Sequence, residues 1–190
     1  MLKQTPSQTV GPFFHASLLF EKENDLTTPQ TVGEHIYIKG RVLDGDGQPV
    51  PDAMIEIWQA DAGGYFNHST DPNQAQADKN FRGFGRSGTA RDSEFWFKTI
   101  KPGQVPGREE QPQAPHVNVR VFARGMLIHT MTRLYFSDEA SNANDPVLNS
   151  IPDPARRATL IAGREETSDL PAYRFDIRLQ GEGETVFFEP

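Results

Sequence analysis

Hydrophobic and polar residues alternate with a period of two in several short stretches of this chain. The clearest stretch is 115–123, where Val117, Val119 and Val121 share one face. The opposite face carries His116, Asn118, Arg120 and Phe122. Such alternation predicts a β-strand that buries one face and presents polar side chains on the other.

Similar stretches predict further strands at 35–43, 53–59, 94–100, 126–136 and 173–179, and a short apolar run at 185–188. Gly and Pro separate them, as in the turn Asp44-Gly45-Asp46-Gly47. Several short strands between such turns indicate an all-β fold, an antiparallel β-sandwich with long loops and one or two short helices. We expect one domain over residues 1–190, with an irregular N-terminal arm at 1–34.

Only two segments favour helix. Asp153 can cap a helix that has Pro154 in its first turn, runs over 155–162 and ends at Gly163. A shorter helical turn is expected over 137–144. The stretch 60–86 has no strand or helix pattern, and a loop of that length in a compact domain is usually functional or forms an interface.

Composition excludes several kinds of protein. With 19 basic and 26 acidic residues, the net charge of −7 argues against affinity for nucleic acid or anionic membranes. The chain has no cysteine, which excludes disulfides, thiolate metal sites and a cysteine nucleophile. It also lacks a signal-peptide pattern and any apolar run of about 18 residues, so a cytoplasmic protein without a membrane span is expected.

A metal site in this chain would need three or four converging His, Tyr, Asp or Glu side chains. His116 lies on the clearest strand, but the second ligand position on that face, two residues on, is Asn118. Tyr65 and His68 follow Gly63-Gly64 in the long loop, where surface positions are the simpler interpretation. Arg133, within a predicted strand, can bind a carboxylate through two parallel hydrogen bonds or form an internal salt bridge.

Several segments together resemble the intradiol ring-cleavage dioxygenases. They lie in the family's order over nearly the whole chain: 5–13 (TPSQTVGPF), 44–47 (DGDG), 57–63 (IWQADAG), 99–103 (TIKPG), 115–118 (PHVN), 133–136 (RLYF) and 172–177 (AYRFDI). The resemblance implies a non-haem Fe(III) held by two tyrosines and two histidines, which activates a catecholate for attack by O₂.

This chain departs from the implied ligand set at three of four positions. The first tyrosine falls at Phe66, with Tyr65 one residue away, and the second falls at Val105. The histidine pair reads His116 and Asn118. The resemblance therefore implies a metal-free chain whose iron is bound by a homologous partner, the β subunit of an α/β hetero-oligomer.

The same resemblance implies a shared active site at the boundary between the two chains. Thr9, Gly11, Pro12 and Phe13 of the arm and Arg133 are expected to line the pocket for a small aromatic substrate, protocatechuate, which reacts with O₂. The Phe-rich arm and the tail 186–188 are expected to contribute to a large apolar interface.

The residues themselves leave two alternative functions open. A stand-alone transthyretin-like binding module would also explain strand, turn and strand over 40–59. An independent metalloenzyme would use Tyr65, His68 and His116 as ligands.

Overall fold

The computed structural model describes residues 10–11, 13–89, 93–107 and 111–189. Its strands are β1 His35–Leu43, β2 Met54–Trp58, β3 Phe84–Gly88, β4 Glu94–Ile100, β5 Val105–Pro106, β6 Pro112–Gln113, β7 His116–Phe122, β8 Thr130–Phe136, β9 Ile161–Glu165, β10 Ala172–Arg174 and β11 Ile177–Arg178. The α-helices are α1 Phe13–Leu18, α2 Pro146–Asn149 and α3 Pro154–Ala158, with 3₁₀ turns at Gln74–Gln76 and Ala140–Asn144.

The strands form two layers that share one strand. In one layer β4 pairs with β1, β1 with β10, and β10 with β9; in the other β9 pairs with β8, β8 with β7, β7 with β2, and β2 with β3. Strands β5 and β6 form a separate two-stranded ribbon. The predicted β-sandwich is confirmed.

The core lies between these layers and contains side chains from both. Its members are drawn from the inner faces of the strands, among them Ile36, Ile38, Ile55, Ile57, Phe95, Phe97, Val117, Val119, Val121, Leu134 and Phe136. The three valines of β7 are buried while Arg120 is exposed, so the alternation predicted for this strand is confirmed. Strands β1, β4 and β7 begin and end within a residue of their predicted bounds.

Most strand pairs are antiparallel, but three are parallel. Strand β1 runs parallel to β10 and β11, and β8 runs parallel to β9. Parallel neighbours need a long connection because the chain must return to the starting edge. The connection from β8 to β9 contains the 3₁₀ turn at Ala140–Asn144 and helices α2 and α3, which confirms the turn predicted at 137–144.

The helix predicted over 155–162 is too long. Asp153 caps it as expected, its side chain accepting a hydrogen bond from Ala155 N at 2.8 Å, but the helix ends at Ala158. The chain then enters β9, where Ile161 pairs with Tyr135 and Gly163 pairs with Arg174. Pairing on both sides and burial of Ala162 outweigh the helical propensity of this segment.

Three further boundaries differ from the sequence prediction. Strand β8 begins at Thr130 instead of 126, and the strand predicted over 173–179 is divided into β10 and β11. Strand β3 lies inside the stretch interpreted as a loop. Its sequence, FGRSG, contains two glycines and only one large apolar residue, so it has little strand pattern.

The two segments expected at an interface have different surroundings. The arm is not irregular throughout, because six of its residues form α1, a helix too short to show a 3.6-residue period. In the tail, Phe187 packs on the main core, and Val186 and Phe188 pack on a second cluster formed by Ala114, Tyr135, Leu148 and Leu160. The tail therefore contributes to packing within the chain. Among the described residues, no helix is long and apolar enough to cross a membrane.

The close contact of β1 with the bend between β10 and β11 depends on Gly40. A Cβ at this position would collide with the Phe175 carbonyl and with the Phe95 ring. We expect Gly40→Ala to lower the free energy of unfolding by about 1–3 kcal/mol, since neither the backbone nor the packed ring can move freely. Urea denaturation measures this change.

Gly163→Ala is the matched control. Gly163 also lies in a strand, and a Cβ there meets no atom within 4 Å. This substitution should leave the free energy of unfolding within about 1 kcal/mol of wild type. An equal loss of unfolding free energy in Gly40→Ala and Gly163→Ala would contradict the steric role assigned to Gly40.

Candidate functional site

A cavity of about 800 Å³ lies on the outer face of the β3-β2-β7-β8 sheet. Of the four positions that correspond to the iron ligands implied by the resemblance, three line the cavity: Phe66, Val105 and Asn118. Tyr65 and His68 also line the cavity, whereas His116 is not among its described lining residues. The fold thus brings together side chains from one loop and from strands β5 and β7.

Asp61 organises the loop that carries Tyr65 and Phe66. Its buried carboxylate accepts hydrogen bonds from Gly63 N and Tyr65 N, both at 2.9 Å, and from Asp78 N at 2.7 Å. Its carbonyl accepts a hydrogen bond from Gly103 N at 2.8 Å, which joins this loop to the loop leading to Val105. A Cβ on Gly64 would collide with the Gln104 carbonyl, so the two backbones approach each other closely.

The cavity does not fit a ferric ion bound in the way the resemblance implies. Phe66 and Val105 have hydrocarbon side chains, and Asn118 offers a neutral amide where a histidine would supply an imidazole nitrogen. Among the described residues, no three His, Cys, Asp or Glu side chains form a group that could hold a metal ion. Tyr65 and His68 share the cavity, but His116, the third ligand of the metalloenzyme alternative, is held elsewhere.

His116 is a buried residue with its own hydrogen bond. Its Nδ1 donates to the Ala114 carbonyl at 2.8 Å, and its ring lies 5.7 Å from the Tyr135 ring. Burial lowers the pKa of His116 to about 4, and the positive charge of Arg133 acts in the same direction. The bond to Ala114 and the Asp145 carboxylate oppose this shift. At neutral pH His116 is therefore an uncharged packing residue.

Arg133 is fixed on β8 by neutral groups and has no salt bridge within the described part of the chain. Its Nη1 donates to Gln113 Oε1 at 2.6 Å and to the Tyr135 hydroxyl at 3.4 Å. Within the same part of the chain, its Nε and Nη2 donate no hydrogen bond. A partly exposed guanidinium with free N–H groups can bind a carboxylate.

The Tyr135 hydroxyl that contacts Arg133 is itself hydrogen-bonded to the buried carboxylate of Asp145. Tyr135 donates its hydroxyl proton to Asp145 Oδ1 at 3.1 Å, and burial raises the pKa of the Tyr135 hydroxyl. Asp145 also accepts hydrogen bonds from the backbone N–H groups of Ala114, Val147 and Leu148 at 2.8–2.9 Å. Because these contacts come from three segments, we infer that Tyr135 and Asp145 limit the movement of Arg133.

The arm residues proposed from the resemblance are described only in part. Gly11 is exposed, and its carbonyl accepts a hydrogen bond from Phe14 N at 3.0 Å. Phe13 begins α1, while Thr9 and Pro12 lie outside the described residues. The Phe14 ring lies 5.5 Å from Phe122, which places α1 near the end of β7. A common pocket of the arm and Arg133 stays a prediction.

No sequence motif assigned a role at the site to Gln113 or Asp145. Tyr135 stands in the segment 133–136 that supported the resemblance, two residues from Arg133, and this spacing puts both side chains on one face of a strand. Asp145 had a separate signal, because Asp followed by Pro146 is typical of a helix start. Nothing in the sequence indicates that Gln113 reaches Arg133.

The lowered pKa of His116 predicts how stability depends on pH. Its pKa is near 6.5 when the chain is unfolded and about 4 when folded, so the unfolded state binds more protons in this window. The His116 contribution is complete above pH 6.5 and is lost as the pH falls towards 4, a change of about 3 kcal/mol. Urea titrations between pH 4 and 7 measure the slope.

His116→Asn should flatten that slope, because the variant has no group that titrates at this position. His68→Gln is the control, since it removes an exposed imidazole and leaves His116 in place, so the slope assigned to His116 should persist. A wild-type slope that persists in His116→Asn would contradict the assignment.

Comparisons with known proteins agree with this arrangement. A family model described as "Dioxygenase" matches residues 10–181. A protocatechuate 3,4-dioxygenase alpha chain from Pseudomonas putida is 48% identical, with 100% of this chain and 98% of the relative aligned. A beta chain of the same enzyme from Burkholderia cepacia is 32% identical over 97% of this chain and 83% of the relative.

Solved structures give the same result for the fold. The dioxygenase domain of a Streptomyces dioxygenase and carbohydrate-binding fusion superposes with a TM-score of 0.63 at 26% identity, covering 94% of this chain and 99% of that domain. Catechol 1,2-dioxygenase from Pseudomonas arvilla has a TM-score of 0.64 at 17% identity, with 83% of this chain and 55% of that chain aligned, which supports the fold alone. The chain therefore belongs to the intradiol ring-cleavage dioxygenase family.

Proposed function

We propose that this chain is the non-iron α subunit of a protocatechuate 3,4-dioxygenase. As one intradiol-type domain over 1–190, it would pair with a homologous β subunit that binds the Fe(III). The complex would use O₂ to cleave protocatechuate between its two hydroxylated carbons, giving 3-carboxy-cis,cis-muconate. A cytoplasmic location stays a prediction from the sequence.

The fixed guanidinium of Arg133 carries this proposal. Protocatechuate has a carboxylate at the opposite side of the ring from its two reacting hydroxyls. Arg133 has N–H groups without a described partner, and its position is fixed through Gln113 and Tyr135. It would hold the carboxylate and so orient the ring, while the partner's iron acts on the hydroxyls.

A two-chain enzyme explains why this chain keeps the family fold without the ligand set. The matched alpha chain covers this chain completely, and a beta chain of the same enzyme is itself a relative. Phe66, Val105 and Asn118 cannot replace tyrosinate and imidazole, so the iron would belong to the partner. In the proposed complex, Thr9, Gly11, Pro12 and Phe13 would form the pocket wall beside Arg133.

Arg133→Ala tests the carboxylate role. In the complex, the variant should raise the KM for protocatechuate by about 10- to 100-fold, the equivalent of about 1.4–2.8 kcal/mol, because a charge-assisted hydrogen-bond pair is lost. Turnover of catechol, which has no carboxylate, should change far less. Steady-state kinetics on both substrates, together with iron analysis, measure these effects.

Arg124→Ala is the matched control for removal of an arginine. The Arg124 side chain is 65% exposed and pairs with Asp52 at 2.7 Å on the surface, so its loss should leave both KM values unchanged. If Arg133→Ala lowers kcat/KM equally for protocatechuate and for catechol, Arg133 would be assigned to structure or assembly instead of carboxylate binding.

The location of the iron is a separate prediction. The chain expressed alone should contain no stoichiometric iron, because three ligand positions lack suitable donors. Co-expression with the homologous β subunit should give a complex that contains iron and has the charge-transfer colour of ferric tyrosinate. Metal analysis of both preparations tests the assignment, and stoichiometric iron in the chain alone would overturn it.

A further inference from the structure

The cavity beside Phe66, Val105 and Asn118 has a wall of aromatic rings. Trp58 and Phe66 stack with ring centroids 5.6 Å apart and an angle of 12° between their planes, and His68 contacts Trp58 edge-on at 5.9 Å. Met131 and Phe84 extend the apolar lining. A volume of about 800 Å³ is within the usual range for small-molecule sites and exceeds the size of one aromatic ring.

The acidic groups of this cavity already have partners. Glu56 forms a salt bridge with Arg86 at 2.7 Å. The Asp71 carboxylate accepts hydrogen bonds from Phe66 N at 2.9 Å and from Asn73 N at 2.7 Å. Both carboxylates therefore have their charge stabilised within the protein, and neither is a free site for a cation.

Arg120 differs from these groups. It lines the cavity from β7, opposite Glu56 on β2 and two residues from Asn118. Its side chain is exposed and forms no ion pair or hydrogen bond with any residue in the described ranges. An unpaired guanidinium beside stacked rings can bind the carboxylate of a flat, apolar ligand.

We propose that this cavity binds a small aromatic carboxylate without cleaving it. The ring would pack on the wall formed by Trp58, Phe66 and Met131, and the carboxylate would bind Arg120. The choice of aromatic acid rests on the proposed function, since protocatechuate belongs to this class. The complex would then hold two aromatic acids for each copy of this chain, one at the shared iron site and one in this cavity.

The test uses 4-hydroxybenzoate as the probe. This acid has one hydroxyl, so it lacks the adjacent pair between which the ring is cleaved. Isothermal titration of the co-purified complex should show two equivalents of 4-hydroxybenzoate bound for each copy of this chain. In Arg120→Gln, the equivalent assigned to the cavity should bind at least 10-fold more weakly, while the other stays unchanged.

Two controls separate this inference from the proposed function. Arg124→Gln, an exposed arginine elsewhere on the surface, should leave both equivalents unchanged. Arg133→Ala should weaken only the binding of the equivalent at the shared iron site. A negative result for Arg133→Ala would therefore leave the Arg120 test unaffected. If the proposed partner does not exist, the same titration on the chain as purified should give one equivalent that is sensitive to Arg120→Gln.

Fluorescence provides an independent measurement on the chain. It contains two tryptophans, Trp58 on the cavity wall and Trp96 on β4, which is 44% exposed. With Trp96→Phe, the probe should quench the remaining Trp58 fluorescence over the same concentrations as in the titration. Phenol, which has no carboxylate, should bind at least 10-fold more weakly.

Three results would overturn the inference. One is a titration in which Arg120→Gln leaves every equivalent unchanged. Another is equal affinity for phenol and 4-hydroxybenzoate, which would remove the carboxylate role of Arg120. The last is Trp58 fluorescence that does not respond to the probe at saturation, which would place any bound acid outside this cavity.

Discussion

The packing of the inner face of β7 fixes the positions of the functional side chains. Val117, Val119 and Val121 are buried between the two layers, so the alternate residues must face outward. A slip of one residue in register would bury Arg120 and expose the valines, which the core opposes strongly. The same constraint on β2 and β8 directs Trp58 and Arg133 to this outer face. The apolar core thus determines which polar groups can meet.

Strands with strong alternation could be predicted from the sequence, whereas a strand that depends on pairing with distant segments could not. The bounds of β1, β4 and β7 agreed closely because each buries one face and has clear turns beside it. The predicted helix wrongly includes the first two residues of β9, because Ile161 and Ala162 become strand residues only through pairing with β8. Such pairing is between residues distant in sequence, and a local pattern does not contain it.

The candidate site was predictable to a similar degree. Comparison by motif identified Phe66, Val105 and Asn118, and the fold brings these three to one cavity. His116, which precedes Asn118 on the same strand face, is instead buried under Tyr135 and Asp145. The support of Arg133 by Gln113 could not be predicted, since it depends on how the β5-β6 ribbon lies against β8.

The pairing of β1 has a consequence for how the chain folds during synthesis. Strand β1, at residues 35–43, pairs with β4 but also with β10 and β11, which are near the C-terminus. On the ribosome, one edge of β1 therefore stays unpaired until residues 172–178 have been made. Contacts between such distant residues slow folding and leave apolar strand edges exposed for longer. Nascent chains of this protein would be open to aggregation through this edge until β10 and β11 emerge.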